Sequence, residues 1–106
     1  MTDRPVRVLD SFYDNVFRGL PIERGPNGEP SADDFLDLDL PAIIDYFAAY
    51  YDTLPRYLAD HPHYRVLIGS GLTVHAYHVV CQLAPDGAVE LIQIGFDADW
   101  PDPIDS

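Results

Sequence analysis

Three runs near the C-terminal end constrain the fold more than anything else in the chain: "YRVLIG" (64–69), "TVHAYHVVCQL" (73–83) and "AVELIQIGF" (88–96). Each is rich in β-branched and aromatic residues, and the separators "SG" and "APDG" are hairpin turns. Together they predict an antiparallel sheet. The middle run has apolar side chains on both faces, which places it at the centre of that sheet.

The first half reads differently. "PVRVL" (5–9) is a short strand, and Asp10 is an N-cap for a helix over 11–19. That helix sets Phe12, Val16, Phe17 and Leu20 on one stripe, with Gly19 near its stop. Residues 21–38 read as loop, because Pro21, Pro26, Gly28 and Pro30 break regular structure and "PNGE" is a turn signal. A second helix begins at Asp39, with Pro41 in its first turn. It aligns Ile43, Ile44, Phe47, Ala48, Tyr51 and Leu54 on one face, the strongest periodicity in the sequence. Pro55 ends or kinks it, and "PRYLAD" makes a short turn before "HPH". The order β-α-loop-α-β-β-β defines an α+β fold: an antiparallel sheet of three to four strands with two or three helices packed on one face. At 106 residues the chain suits a single domain over 1–106, with an acidic loop at 21–39 and an acidic tail at 97–106.

Charge is the unusual quantity. Eighteen acids face six bases, all of them arginine, for a formal net charge of −12. Such a surface repels nucleic acid, whose binding requires cations against phosphates, and it repels anionic membranes. It attracts basic proteins and speeds encounter with them. GC-rich coding and adaptation to high salt produce the same composition. No apolar run approaches the roughly 20 residues that span a bilayer, and the N-terminus lacks a signal-peptide pattern, so a cytoplasmic location is expected.

No residue set presents a complete catalytic or metal site. His61, His63, His75 and His78 cluster near Cys81, but no pair has good zinc-site spacing. On a regular strand His75 and Cys81 lie about 20 Å apart, so they cannot share one ion. No cofactor and no metal are expected. Cys81 sits among apolar residues, which favours an inert thiol. Ser70, in "GSG", lacks the strand-to-helix elbow that exposes a nucleophile. Asp14, Asp45, Asp97 and Asp99 are the carboxylates suited to acid–base work if one were buried against an apolar wall. Tyr46 and Tyr50 stand one helical turn apart beside Asp45, Asp52 and Arg56, with Tyr13 close by on the first helix, a pattern that suits a protein-binding surface.

Two families are similar in pattern. "VRVL" leading into a helix, with "HYRVLIGSGLTVHAYHVV" and "GAVELIQIGF" at the end, resembles the RelE/ParE toxin fold. That resemblance implies a β-α-α-β-β-β chain acting as a ribosome-dependent nuclease or gyrase poison. Those toxins are basic, however, and the stretch that carries their site is here Gln93, Phe96, Asp97, Asp99 and Trp100. "SFYDNVFRGL", "AIIDYFAAYYDTLP" and "QLAPDGAVELIQIGFD" resemble the opening helix, middle helix and final hairpin of the SnoaL-like, nuclear-transport-factor-2-like fold. That resemblance implies a small-ligand enzyme with a pocket lined by His75, Tyr77 or Asp97.

The leading expectation is a non-enzymatic inhibitor or interaction protein. It presents carboxylates to a basic, nucleic-acid-handling partner, as anti-restriction, anti-CRISPR and immunity proteins do. Carboxylates two apart on a strand or four apart on a helix lie about 5–7 Å from each other, comparable to one or two nucleotide steps. The residues expected to carry binding are Asp33, Asp34, Asp37 and Asp39, then Asp97, Asp99 and Asp102. Tyr46, Tyr50 and Trp100 are the expected aromatic anchors. A homodimer is left open.

Overall fold

The computed structural model describes residues 3–26, 30–74 and 76–96. His75 and the acidic tail, including Asp97, Asp99, Trp100 and Asp102, lie outside the described residues.

The chain is α+β, and its sheet is larger and less uniform than the sequence predicts. Five strands run in the order β1-β5-β4-β3-β2: β1 (Val6–Val8), β2 (Arg56–Leu58), β3 (His61–Gly69), β4 (Tyr77–Leu83) and β5 (Val89–Phe96). β2 to β5 form an antiparallel meander, whereas β1 pairs parallel to β5, Val6 opposite Val89. The sheet is therefore mixed. The "PRYLAD" segment, expected as a turn, supplies the extra edge strand β2. β4 is shorter than the 73–83 run because Thr73 and Val74 belong to the preceding loop, for a reason given below.

Alternation along the strands sets the core. Tyr77, Val79 and Cys81 of β4 and Val89, Leu91 and Ile94 of β5 point to one face. There they meet Phe12 and Val16 of α1 (Asp10–Gly19) and Phe35, Leu40, Ile43 and Phe47 of a second helical run. The expected face of that second run is the buried one, with Ile43, Phe47, Tyr51 and Leu54 all in the core. Phe17, expected on the apolar stripe of α1, is instead exposed.

The step from Leu91 to Ile94 crosses a β-bulge. Val80 pairs with Gln93 but Cys81 with Leu91, leaving Ile92 as the extra residue. Helix α1 meets the backbone beside it: Ser11 Oγ donates to the Ile92 carbonyl at 2.6 Å, and Asn15 Oδ1 accepts from the Ile94 N–H at 3.0 Å. These two side chains, four residues apart and so on one helix face, lock α1 to the sheet. At the β4–β5 turn Gly87 has φ of 93°, a conformation open mainly to glycine.

The second helical run begins much earlier than Pro41. Ser31 is an N-cap whose hydroxyl accepts from the Asp34 N–H, while the Asp34 carboxylate accepts from the Ser31 N–H, a capping box. From there α2 (Ala32–Asp34), a π-turn (Phe35–Asp39) and α3 (Leu40–Tyr50) form one rod over 32–50. The Leu40 N–H reaches back five residues to the Phe35 carbonyl. The wide turn has a physical cause. Pro41 has no N–H to donate to an α-type bond, and its ring would crowd the carbonyl four residues earlier. Widening the preceding turn lets the helix pass the proline without stopping.

Candidate functional site

The rod divides the predicted acidic group into three kinds of carboxylate. Asp39 was expected at the surface and is only 3 % exposed. Its Oδ1 accepts from the Leu72 N–H at 2.6 Å, and its Oδ2 accepts from the Thr73 N–H at 3.1 Å and the Thr73 hydroxyl at 2.7 Å. A buried carboxylate is tolerated only with such partners. Asp39 is therefore a clamp that fastens the β3–β4 loop to the rod. It also explains why Thr73 leaves the strand. Gly71 is part of the same fit, since a Cβ there would stand 2.5 Å from Asp39 Oδ2.

Asp34 is committed locally. Arg24 Nε and Nη2 donate to its two oxygens at 3.1 and 2.9 Å. Those bonds, followed by the Ser31 N–H, hold its carboxyl down at about 2.

Asp33 and Asp37 are the third kind: exposed, like Asp45 further along α3. The ion pairs among the described residues join Arg4 to Asp52, Arg7 to Asp86 and Glu90, and Arg24 to Asp34. None of them reaches Asp33, Asp37 or Asp45. They lie in a stretch, residues 25–55, that contains seven acids and no arginine, lysine or histidine, so any cation reaching them must come from elsewhere in the chain.

Between these carboxylates the outer face of the rod is apolar. Pro41, Ala42, Tyr46, Ala49 and Tyr50 face solvent on α3. Leu38 is 52 % exposed, Tyr46 41 % and Tyr50 52 %. The two tyrosine rings lie 4.9 Å apart and tilted at 46°, making one aromatic step. At the other end the Asp39 clamp holds Leu72, 83 % exposed, beside the π-turn. Leu38 and Leu72 were not singled out from sequence. Leu38 is legible as the residue four before Ala42 and eight before Tyr46, once the helix is known to start at Ser31.

Cys81, Tyr51 and Tyr77, also raised by the sequence, are built into the core. Cys81 is fully buried, and that burial pushes its thiol up to about 12. Tyr51, whose hydroxyl donates to the His63 carbonyl, is flanked by the Arg4 and Arg65 guanidinium groups at 5.5 and 5.0 Å. Arg65 also donates to the carbonyls of Pro62 and Leu54. Tyr77 packs within the core, and burial raises its hydroxyl above the usual phenol range. A shallow depression lined by Asn15, Arg18, Gly19 and Phe96 opens broadly to solvent at the end of α1. No group of three or more metal-ligating side chains occurs among the described residues. None of the helices among those residues is long and apolar enough to cross a membrane.

Comparison with family models, with curated proteins and with solved structures finds no match to this chain.

Proposed function

We propose that this chain is a small acidic interaction protein of the inhibitor type, which docks on a basic protein through the outer face of the 32–50 rod. One observation carries the reading: exposed Leu38, Tyr46 and Tyr50 share that face with exposed Asp33, Asp37 and Asp45, which no ion pair among the described residues reaches. Aromatic groups ringed by charge match the anatomy of an interface, in which buried anchors hold and rim charges steer. The partner class follows from the charge. Proteins that handle nucleic acid present cationic grooves to phosphates, and an anionic rod can occupy such a groove. Asp34 and Asp39 take no part, since both are committed within the chain. They shape the face by starting the rod and fastening the loop beside it.

The test uses the protein as immobilised bait, as wild type and as the triple variant Asp33→Asn/Asp37→Asn/Asp45→Asn. At about 0.1 M salt the wild type retains a basic protein, and at about 1 M, where the screening length falls to about 3 Å, it releases it. The triple variant retains much less at low salt. Equal retention by the variant, or retention indifferent to salt, overturns the reading.

A further inference from the structure

We infer that the element seated on this face is an amphipathic helix with a basic rim, resting on two apolar supports. The inference rests on the reading above and specifies its partner. Leu38 forms one support, with Leu72 tethered next to it through the bond from the Leu72 N–H to Asp39, and the Tyr46–Tyr50 step forms the other. Leu38 and Tyr46 are eight residues apart, about 12 Å along the rod. That span is about two turns of a partner helix lying along the rod. Between the supports the outer residues are Pro41, Ala42 and Asp45, small apart from Asp45, so a ridge of side chains from a second helix has a groove to enter. A partner chain with apolar residues at i, i+3, i+4 and i+7 would fill that groove. Lysines or arginines on its flanks would face Asp37 and Asp45.

Charge chooses between occupants. A second copy of this chain would bring a further −12 and set Asp37 and Asp45 against an equally acidic face. An extended basic tail would satisfy the carboxylates but leave the two apolar supports uncovered.

The probe is a pair of synthetic peptides of roughly fourteen residues and identical leucine and lysine composition. One has leucines at helical spacing, the other at every second position. Binding to the intact protein is followed by calorimetry at low salt. The helical-pattern peptide is expected to bind at least about ten-fold more tightly. Tyr46→Ala, an exposed truncation, is expected to weaken it by about thirty-fold, the loss typical of an aromatic anchor. Leu72→Ser should weaken it as well, with unchanged thermal unfolding showing that both variants fold. Equal binding of the two peptides overturns the helix inference and leaves the basic-partner reading standing. A helical-pattern complex indifferent to Tyr46→Ala overturns the placement on this face. Failure of both peptides to bind overturns the inference and counts against the parent reading as well.

Discussion

Replacing Asp39 by alanine strips the acceptors from the Leu72 N–H, the Thr73 N–H and the Thr73 hydroxyl in one step. Hydrogen bonds to an ionised group contribute about 1.5–3 kcal/mol each, but the loop is partly exposed and water can take over some of the donors. A net cost of about 3 kcal/mol is therefore expected, well below the sum of three. In a chain of this length each kcal/mol moves the melting temperature by about 4–8 °C, so a fall of roughly 12–24 °C should follow. Gly71→Ala tests the same joint from the other side. The new methyl would stand 2.5 Å from Asp39 Oδ2. Relieving that clash should cost about 1–3 kcal/mol in the wild type and almost nothing once Asp39 is alanine. Urea unfolding followed by circular dichroism on the four members of the cycle measures both numbers. An Asp39→Ala cost below about 1 kcal/mol, or a Gly71→Ala cost equal in the two backgrounds, would refute the clamp.

Two further predictions concern titratable groups. The Asp34 carboxyl is depressed to about 2 from an unfolded value of 3.8, so its stabilisation is complete above the unfolded value. It is lost as pH falls from there toward 2. Acid unfolding of wild type and Arg24→Ala should converge at the acid end of that window, and parallel profiles throughout would show that the pair does not act as described. Cys81, with its thiol pushed up to about 12, should resist a maleimide at neutral pH in the folded protein and react fully in denaturant. Rapid stoichiometric labelling of the native chain would contradict its placement in the core.

Local pattern carried the helix face of Ile43, Phe47, Tyr51 and Leu54, the β3–β4–β5 meander and the Asp86–Gly87 turn, because each depends on neighbours in sequence. The parallel pairing of β1 was illegible: Val6 and Val89 meet across most of the chain, and no local signal announces it. The start of the rod was hidden differently. Ser31 and Asp34 spell a capping box, but the prolines and glycines of 21–30 read as loop and Pro41 as the first turn of a helix starting at Asp39. Only the π-turn over Phe35–Asp39 lets one rod run from Ser31 through Pro41. The same displacement hid part of the candidate site. Asp39 reads as one more surface aspartate until donors from Leu72 and Thr73 are folded against it, and Leu38 reads as loop until the rod includes it. Tyr46 and Tyr50 were legible as an exposed pair because they sit opposite a well-defined apolar face.

The most direct measurement is amide hydrogen exchange on the protein alone and bound to the captured basic partner, read segment by segment. Protection confined to 33–50 and the loop around Leu72, with α1 and β2 unchanged, is the result this account predicts. Protection concentrated on the helix-free face of the sheet or around Arg18, with the rod exchanging as in the free protein, would contradict it.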